Sequence, residues 1–284
     1  MFEHSEKNDP AENPGGRASH VRREDFQPQD ADNAPPGYTA EFRFYGILND
    51  FLPAPRQQRT NTYRFQGHPG VKDPIEALGI PHTEVDLILV HGHPVDFAYR
   101  LGNGDRVAVY PPFGALDIRS LARLREPPPC PPRFIIDVNL GKLARRLRWL
   151  GYDSLFRNDY RDSEIADITA GEQRIVLTRD RRLLHIGRIV HGYWVRSVQV
   201  EEQVVEVARR YGLDTGHPPF TRCMVCNGRL VAVDKAAVWD ELEPKTRLYY
   251  EHFLRCEACR RLYWEGSHVE HMRRGPSIDG GETN

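Results

Sequence analysis

Four of the five cysteines have a spacing that favours metal binding. Cys223 and Cys226 form one Cys-x-x-Cys pair, Cys256 and Cys259 form another, and Cys130 stands alone. Two intervening residues let one turn present both sulfurs to one ion, and two such turns complete a tetrahedral site. The start of the chain lacks the basic-then-apolar order of a signal peptide, so we expect zinc rather than disulfides. Four protein ligands leave no open position, so this zinc is expected to be structural.

Four acidic residues stand where strands are predicted to end or a helix to begin. Asp137 and Asp180 each follow an apolar run, and Asp162 and Glu164 lie at the start of a predicted helix. Ligands of open parallel sheets bind beyond the carboxyl ends of the strands, so all four acids can meet at one edge. Clustered carboxylates are tolerated around a cation, and hard oxygen ligands select Mg²⁺ or Mn²⁺. Such ions activate water for attack on phosphorus.

The sequence around these acids is basic. Residues 133–161 hold seven Lys or Arg against three Asp or Glu, and residues 174–188 hold five against one. An acidic metal centre within basic surroundings suits the hydrolysis of a polyanion. Alternatively, Arg145 and Arg148 only form the solvated face of a helix. Trp149, on the predicted outer helix face, is expected to pack, with stacking on a base as the alternative. The predicted phosphate-binding residues are Lys142, Arg145, Arg148, Arg179 and Arg181.

Strands and helices are predicted to alternate after residue 133. Short apolar runs predict strands over 134–136, 152–156, 175–178 and 189–195. Leucines that step by three and four residues from 140 to 150 share one helical face. Strands that alternate with helices indicate a parallel sheet with helices on its faces.

Residues 38–113 have a different pattern. Alternating apolar residues over 38–44 predict a strand, a helical face follows over 71–78, and 85–90 is a further strand. This order predicts a small α+β sheet with one packed helix. The proline-rich stretch 125–132 then indicates a domain boundary.

The overall composition is that of a soluble protein. The 39 Lys and Arg balance the 40 Asp and Glu to a net charge of −1, and 39% of the residues are hydrophobic. No run approaches the ~20 apolar residues of a membrane-spanning helix, so we expect a cytoplasmic protein without a membrane partner. Residues 1–37, with four basic and eight acidic residues, contain little periodic apolar sequence and are predicted to be disordered.

The motifs around the acids resemble a known family. Phe134–Asp137 with Gly141–Arg145, then Leu150–Asp153 and Leu177–Asp180, look like the mut-seven C-terminal RNase family. The resemblance implies a PIN-like fold with a zinc ribbon and the activity of a metal-dependent ribonuclease. Its implied acids are Asp137, Asp162 or Glu164 or both, and Asp180.

Tyr63 and Phe65 predict a second strand before the helical face. With this strand–strand–helix order ahead of it, the segment Gly104–Pro112 resembles a ubiquitin-like β-grasp of the sulfur-carrier type. Sulfur carriers end in a free Gly-Gly, whereas this segment runs on through Phe113 and Gly114 towards the linker. The resemblance therefore implies an adaptor or binding module, with a protein partner as the candidate ligand.

We therefore predict an α/β protein with a PIN-like parallel sheet, an N-terminal α+β β-grasp domain and a C-terminal zinc ribbon. The predicted function is hydrolysis of RNA at a Mg²⁺ or Mn²⁺ centre. One alternative is a non-catalytic RNA- or ribosome-binding adaptor, and another is a sulfur-transfer or protein-partner scaffold. The predicted segments are a tail at 1–37, the β-grasp domain at 38–113, the linker at 114–132, the nuclease domain at 133–216, the zinc ribbon at 217–272 and a second tail at 273–284.

Overall fold

The fold was analysed in a computed structural model that describes residues 37–112, 124–213 and 219–265. The tails predicted at 1–37 and 273–284 lie outside these residues, except for Gly37, as does most of the first half of the predicted linker. No helix within the described ranges is long and apolar enough to cross a membrane.

The first domain is a mixed five-stranded sheet with one packed helix. Its elements are β1 (Tyr38–Phe44), β2 (Thr60–Phe65), α1 (Lys72–Ala77), β3 (Leu87–Val90), β4 (His93–Val95) and β5 (Arg106–Tyr110). The strand order is β2-β1-β5-β3-β4, with β1 parallel to β5 and the other pairs antiparallel. Alternate residues of β1 are buried against Ile75 of α1, as the period-two pattern predicts. The β-grasp prediction is confirmed.

The second domain is a parallel sheet with helices on both faces, as predicted. Its strands are β6 (Phe134–Ile136), β7 (Ser154–Phe156), β8 (Ile175–Thr178) and β9 (Gly192–Trp194), in the order β7-β6-β8-β9. Its helices are α2 (Gly141–Trp149), α3 (Asp162–Glu172) and α4 (Val200–Tyr211). Helices α2 and α4 pack on the face that includes Ile136, and α3 packs on the face that includes Ile135.

The third part is a small antiparallel sheet that carries the cysteines. Its strands β10 (Leu230–Val233), β11 (Phe253–Cys256) and β12 (Leu262–Trp264) pair in chain order. Two short helices, α5 (Lys235–Val238) and α6 (Pro244–Tyr249), lie in the connection between β10 and β11. This architecture is compatible with the predicted zinc ribbon.

The first residue of α2 has no room for a side chain. A Cβ on Gly141 would lie 2.8 Å from the ring carbon Cζ of Phe156. We therefore expect Gly141→Ala to lower the free energy of unfolding by about 1–3 kcal/mol, measured by urea titration. Gly171 in α3 is the matched control, since nothing lies within 4 Å of a Cβ there and alanine favours helix by about 0.5–1 kcal/mol. Equal stability of the two variants would contradict this tight contact.

Candidate active site and cysteine cluster

The order of the parallel strands gives the sheet a topological switch point between β6 and β8. The chain leaves β6 for β7 through α2 on one face and returns to β8 through α3 on the other. Adjacent strands whose connections leave on opposite faces mark the point where open α/β sheets bind ligands. Asp137 follows β6 and Asp180 follows β8, so both acids lie at this point.

A buried threonine connects these two acids. The hydroxyl of Thr178 donates to Asp137 Oδ2 over 2.7 Å and accepts the backbone N–H of Asp180 over 2.8 Å. Asp137 is only 7% exposed, and its Oδ1 accepts the backbone N–H of Val138 over 2.7 Å. The carboxylate of Asp137 and the loop of Asp180 are therefore held by the same side chain.

Asp180 is paired with a neighbouring arginine. Its Oδ1 accepts the backbone N–H of Arg182 over 2.9 Å, and the Arg182 guanidinium lies 3.2 Å from Oδ2. Partial burial raises the pKa of Asp180, but the hydrogen bonds and charge of Arg182 outweigh it and hold this pKa below its usual value. The Arg182 side chain is 91% exposed, so this ion pair is screened by water and readily exchanged.

Asp162 and Glu164 have different surroundings at the start of α3. Glu164 Oε2 accepts the backbone N–H of Arg161 over 3.0 Å and its Nε–H over 3.1 Å, so this carboxylate is bonded to the residue that precedes the helix. Asp162 is exposed, and across the described ranges its side chain makes no hydrogen bond or ion pair. Of the two, Asp162 is thus the carboxylate with neither oxygen bonded to the described residues, whereas Glu164 already uses Oε2.

The acids do not form a tight group of three. Within 37–112, 124–213 and 219–265, the cysteines are the one group of three or more His, Cys, Asp or Glu whose ligand atoms all lie within 4.8 Å of one another. Mg²⁺ usually keeps several waters and binds one or two carboxylates directly. The donor chemistry at Asp137 and Asp180 therefore fits such an ion without a third direct carboxylate.

Four of the five predicted phosphate-binding residues divide into two groups. Lys142 and Arg145 are exposed on α2, which begins beside Asp137. Arg179 Nη1 donates to Ser197 O over 2.6 Å, and the Arg181 guanidinium lies 3.8 Å from the ring centroid of Trp194. Lys142 and Arg145 are free to contact a ligand. Arg179 and Arg181 instead hold the loops at the carboxyl ends of β8 and β9.

Two of the sequence predictions for α2 are wrong. Arg148 is 3% exposed and donates to the carbonyls of Ser154 (2.8 Å), Met224 (3.1 Å) and Val225 (2.9 Å), so it cannot reach RNA. Trp149 is 3% exposed and packs on Phe220, with ring centroids 5.0 Å apart, so it is not on an outer face. The third part of the chain covers this end of α2, which the helical pattern alone does not reveal.

The four cysteines of the third part converge on one point. Their Sγ atoms all lie within 4.8 Å of one another, with 3.6 Å between Cys223 and Cys259 and 3.4 Å between Cys226 and Cys256. The backbone N–H groups of Cys226 and Cys259 point at the first sulfur of their own pairs, at 3.4 and 3.5 Å. These sulfurs can bind one metal ion, as the spacing predicts.

The surroundings of the sulfurs also fit a cation. Burial raises the pKa of the Cys223 thiol, but hydrogen bonds from the Tyr263 hydroxyl and the Cys226 backbone outweigh it and lower this pKa to about 6. Burial and then the neighbouring sulfurs raise the pKa of Cys226 to about 12. A bound cation favours the thiolate form of each sulfur and so offsets these effects. A Cβ at Gly228 would lie 2.8 Å from Cys256 Sγ, so this position of the turn requires a glycine.

Asp153 joins the cysteine cluster to the parallel sheet. Its Oδ1 accepts from Arg174 Nη1 over 2.7 Å and from Asn227 Nδ2 over 2.8 Å, and Arg222 lies 3.4 Å from Oδ2. The side-chain oxygen of Asn227 in turn accepts the backbone N–H of Ser154 over 3.0 Å. The first cysteine turn is therefore hydrogen-bonded directly to β7.

The Asp153 carboxylate is expected to stabilise the protein above its unfolded pKa of about 3.9. Burial raises the pKa of Asp153, but the hydrogen bonds from Arg174 and Asn227 outweigh burial and lower this pKa. The stabilisation by the carboxylate is therefore lost as the pH falls through the lowered pKa. Asp153→Asn should lower the free energy of unfolding at pH 7 by about 3 kcal/mol and flatten its decline below pH 4. Urea titrations between pH 7 and pH 2 measure both effects.

The matched control for this prediction is Asp159→Asn. Asp159 also pairs with an arginine, Arg157, over 2.9 Å, but both side chains are exposed. No measurable change is expected there, because exposed pairs are screened. If the two variants had the same pH profile, Asp153 would not be the ionic link between the two parts.

Sequence reasoning assigned no role to Thr178, Asp153 or Asn227. Thr178 lies two residues before a candidate acid, and Asn227 directly follows a cysteine pair. A polar residue at the end of an otherwise apolar strand, and the Asn-Gly pair directly after Cys226, are the sequence signals that could have identified Thr178 and Asn227.

Comparison with known proteins places both main parts of the chain in described families. A family model described as the Mut7-C RNAse domain matches residues 132–275, just over half of the chain, and one described as Mut7-C ubiquitin matches residues 37–117. The chain is also similar to the crystal structure of small archaeal modifier protein 1 of H. volcanii, at 20% identity and a TM-score of 0.23, covering 27% of this chain and 100% of that one. No curated protein matches it. The chain thus belongs to the Mut7-C RNAse domain family and carries a Mut7-C ubiquitin-like domain ahead of that domain.

Proposed function

We propose that this protein is a metal-dependent ribonuclease. The observation that carries the proposal is the position of Asp137 and Asp180 at the ends of two adjacent parallel strands, connected through Thr178. The match to the Mut7-C RNAse domain supports the same reaction class. In this proposal the nuclease domain spans 133–216, between the β-grasp domain at 38–113 and the zinc ribbon at 217–272.

Asp137 and Asp180 would hold Mg²⁺ or Mn²⁺, and Asp162 would complete the site or orient water. When bound, such an ion supplies a Lewis acid and lowers the pKa of a coordinated water, which is the chemistry that phosphodiester hydrolysis requires. Thr178 keeps the Asp137 carboxylate oriented by donating to its Oδ2. Arg182 would release Asp180 and become available to a phosphate.

Cationic side chains near Asp137 and Asp180 would bind the RNA backbone. Lys142 and Arg145 are the exposed candidates on α2. Arg179 supports the loop after β9 through its bond to Ser197. Phosphate contacts of this kind fix the position of the RNA without reading its sequence. RNA is thus the proposed partner, with a protein partner at the β-grasp domain as a further candidate.

The cysteine cluster would bind a structural zinc ion. Cys223, Cys226, Cys256 and Cys259 would fill all four positions of a tetrahedral site, so no position remains for substrate. Because Arg148 donates to two carbonyls of the first cysteine turn, the zinc would also support the end of α2.

The alternative function is a non-catalytic RNA- or ribosome-binding adaptor. The ion pair between Asp180 and Arg182 favours it, because an arginine there can replace a metal in neutralising the carboxylate. The adaptor predicts RNA binding without any product that depends on a divalent ion.

The test is cleavage of end-labelled single-stranded RNA by the purified protein in Mn²⁺ or in chelator. Chelation also removes zinc from cysteine sites, so the chelated protein is restored with Zn²⁺ alone or with Zn²⁺ and Mn²⁺. We expect cleavage with both ions and none with Zn²⁺ alone. RNA that is bound but never cut under either condition would contradict the ribonuclease and support the adaptor.

A further inference from the structure

The β-grasp and parallel-sheet domains share a polar contact at the edge strand β9 and the residues just before it. His82 Nε2 donates to Ile189 O over 2.9 Å. Glu84, which is 0% exposed, accepts the backbone N–H of Trp194 over 2.7 Å. Arg125 of the linker donates to a backbone carbonyl of each domain, at 3.1 and 3.2 Å. Buried polar groups that are paired across a contact fix its geometry, because separation would leave them unsatisfied.

An aromatic contact extends this interface towards the candidate active site. The rings of Phe51 and Trp194 lie 5.0 Å apart between centroids. The Arg181 guanidinium lies 3.8 Å from the Trp194 ring centroid, and its Nη1 is 3.5 Å from Phe51 O. Arg181 directly follows Asp180, so the β-grasp domain contacts the very loop that carries this acid.

The loop after β9 is attached to the β-grasp domain in a similar way. Arg196 Nε donates to Asp50 over 2.9 Å, and its Nη2 lies 3.4 Å from Ile47 O. The next residue, Ser197, accepts from Arg179 over 2.6 Å, and Arg179 belongs to the loop of Asp180. Both loops at the carboxyl ends of β8 and β9 are therefore connected to each other and to the β-grasp domain.

We infer that the turn Gly46–Phe51 of the β-grasp domain is a positioning element of the nuclease centre. Asp50 and Phe51 act through Arg196 and Arg181, which hold the loop of Asp180 in place. This inference rests on the proposed function. Misplacement of a reacting group by about 1 Å can lower a rate by ~100-fold, so a contact outside the reacting centre can control it. The β-grasp domain is then part of the catalytic unit and more than a tethered adaptor.

The contact can be weakened without unfolding the protein. The Asp50 side chain is 49% exposed, so its ion pair adds little to stability. Phe51 is buried, and Phe51→Leu keeps most of its volume while it removes the ring that contacts Trp194 and Arg181. The double variant Asp50→Ala/Phe51→Leu therefore targets the interface.

The experiment compares full-length wild type with three variants. They are the double variant, Asp50→Glu with Phe51 unchanged as the conservative replacement, and Asp73→Ala on α1 as the exposed-acid control. Hydrogen exchange is followed over residues 179–182 and 195–198, and kcat and KM for RNA are measured at saturating Mn²⁺. Thermal unfolding shows that every variant is folded at the assay temperature.

We expect the double variant to exchange roughly tenfold faster in both loops, and its kcat to fall about tenfold with little change in KM. Asp50→Glu should keep most of the activity, and Asp73→Ala should match wild type. Unchanged exchange or unchanged kcat in the double variant, with wild type active, overturns this inference alone. Wild-type protein that cuts no RNA in Mn²⁺ overturns the proposed function and this inference with it.

Discussion

Asp180→Asn is expected to lower Mn²⁺-dependent RNA cleavage by about 100-fold or more. Asparagine keeps the shape of the side chain but removes the negative charge that a divalent ion needs, and metal catalysis contributes several kcal/mol to such reactions. The fold should persist, because the partner of Asp180 is the exposed Arg182. The measurement is single-turnover cleavage of labelled RNA at saturating Mn²⁺, with circular dichroism as the check on folding.

The matched control is Asp167→Asn. Asp167 is an exposed acid of the same domain that pairs with Arg188, and it lies along α3 beyond Asp162. Its replacement should leave cleavage unchanged. Equal rates for wild type and Asp180→Asn would remove Asp180 from the catalytic centre, while equal losses in both variants would indicate a general electrostatic effect.

Cys256→Ser is expected to abolish zinc binding and to unfold the third part of the chain. Cys256 is buried, and its Sγ lies 3.4 Å from Cys226 Sγ, so a hydroxyl there removes a thiolate that no other residue of the cluster replaces. Structural zinc in small domains supplies an apparent ~10 kcal/mol or more of binding energy, which is also folding energy. Bound zinc should fall from about one ion per chain to none, and protease should cut within 219–265.

Cys130→Ser is the control for this change, because Cys130 is exposed and lies outside the cluster. It should keep its zinc and resist protease as wild type does. A Cys256→Ser protein that still binds a full equivalent of zinc would contradict the four-sulfur site. Retained protease resistance without zinc would instead show that packing alone holds the ribbon.

The predictions that depended on local geometry are the ones that the structure supports. The spacing of the cysteines predicted two turns whose four sulfurs face one ion, and the four sulfurs do converge. The alternating residues of β1 and the apolar runs of β6 and β8 became strands because burial of one or both faces follows directly from their pattern. The strand after residue 189 is shorter than its pattern predicts, with only Gly192–Trp194 paired to β8.

The predictions that failed depended on packing between distant segments. Arg148 and Trp149 have the spacing of an exposed helical face, but the cysteine-bearing part covers them from 70 or more residues away along the chain. The contacts of His82 with Ile189 and of Glu84 with Trp194 join residues 107 and 110 positions apart. No local period encodes such pairings, so they become visible only in three dimensions. Likewise, Asp162 and Glu164 could be told apart only by the hydrogen bonds that Arg161 donates to Glu164.

Each edge strand of the parallel sheet has a backbone N–H that is bonded to a side chain from outside the sheet. On β7 the outward backbone N–H of Ser154 bonds to Asn227, and on β9 that of Trp194 bonds to Glu84. Unpaired strand margins are templates on which other chains add strands, and proteins usually protect them. A fragment cut down to 133–216 would leave both backbone N–H groups unpaired, so we expect it to self-associate more readily than the full-length chain.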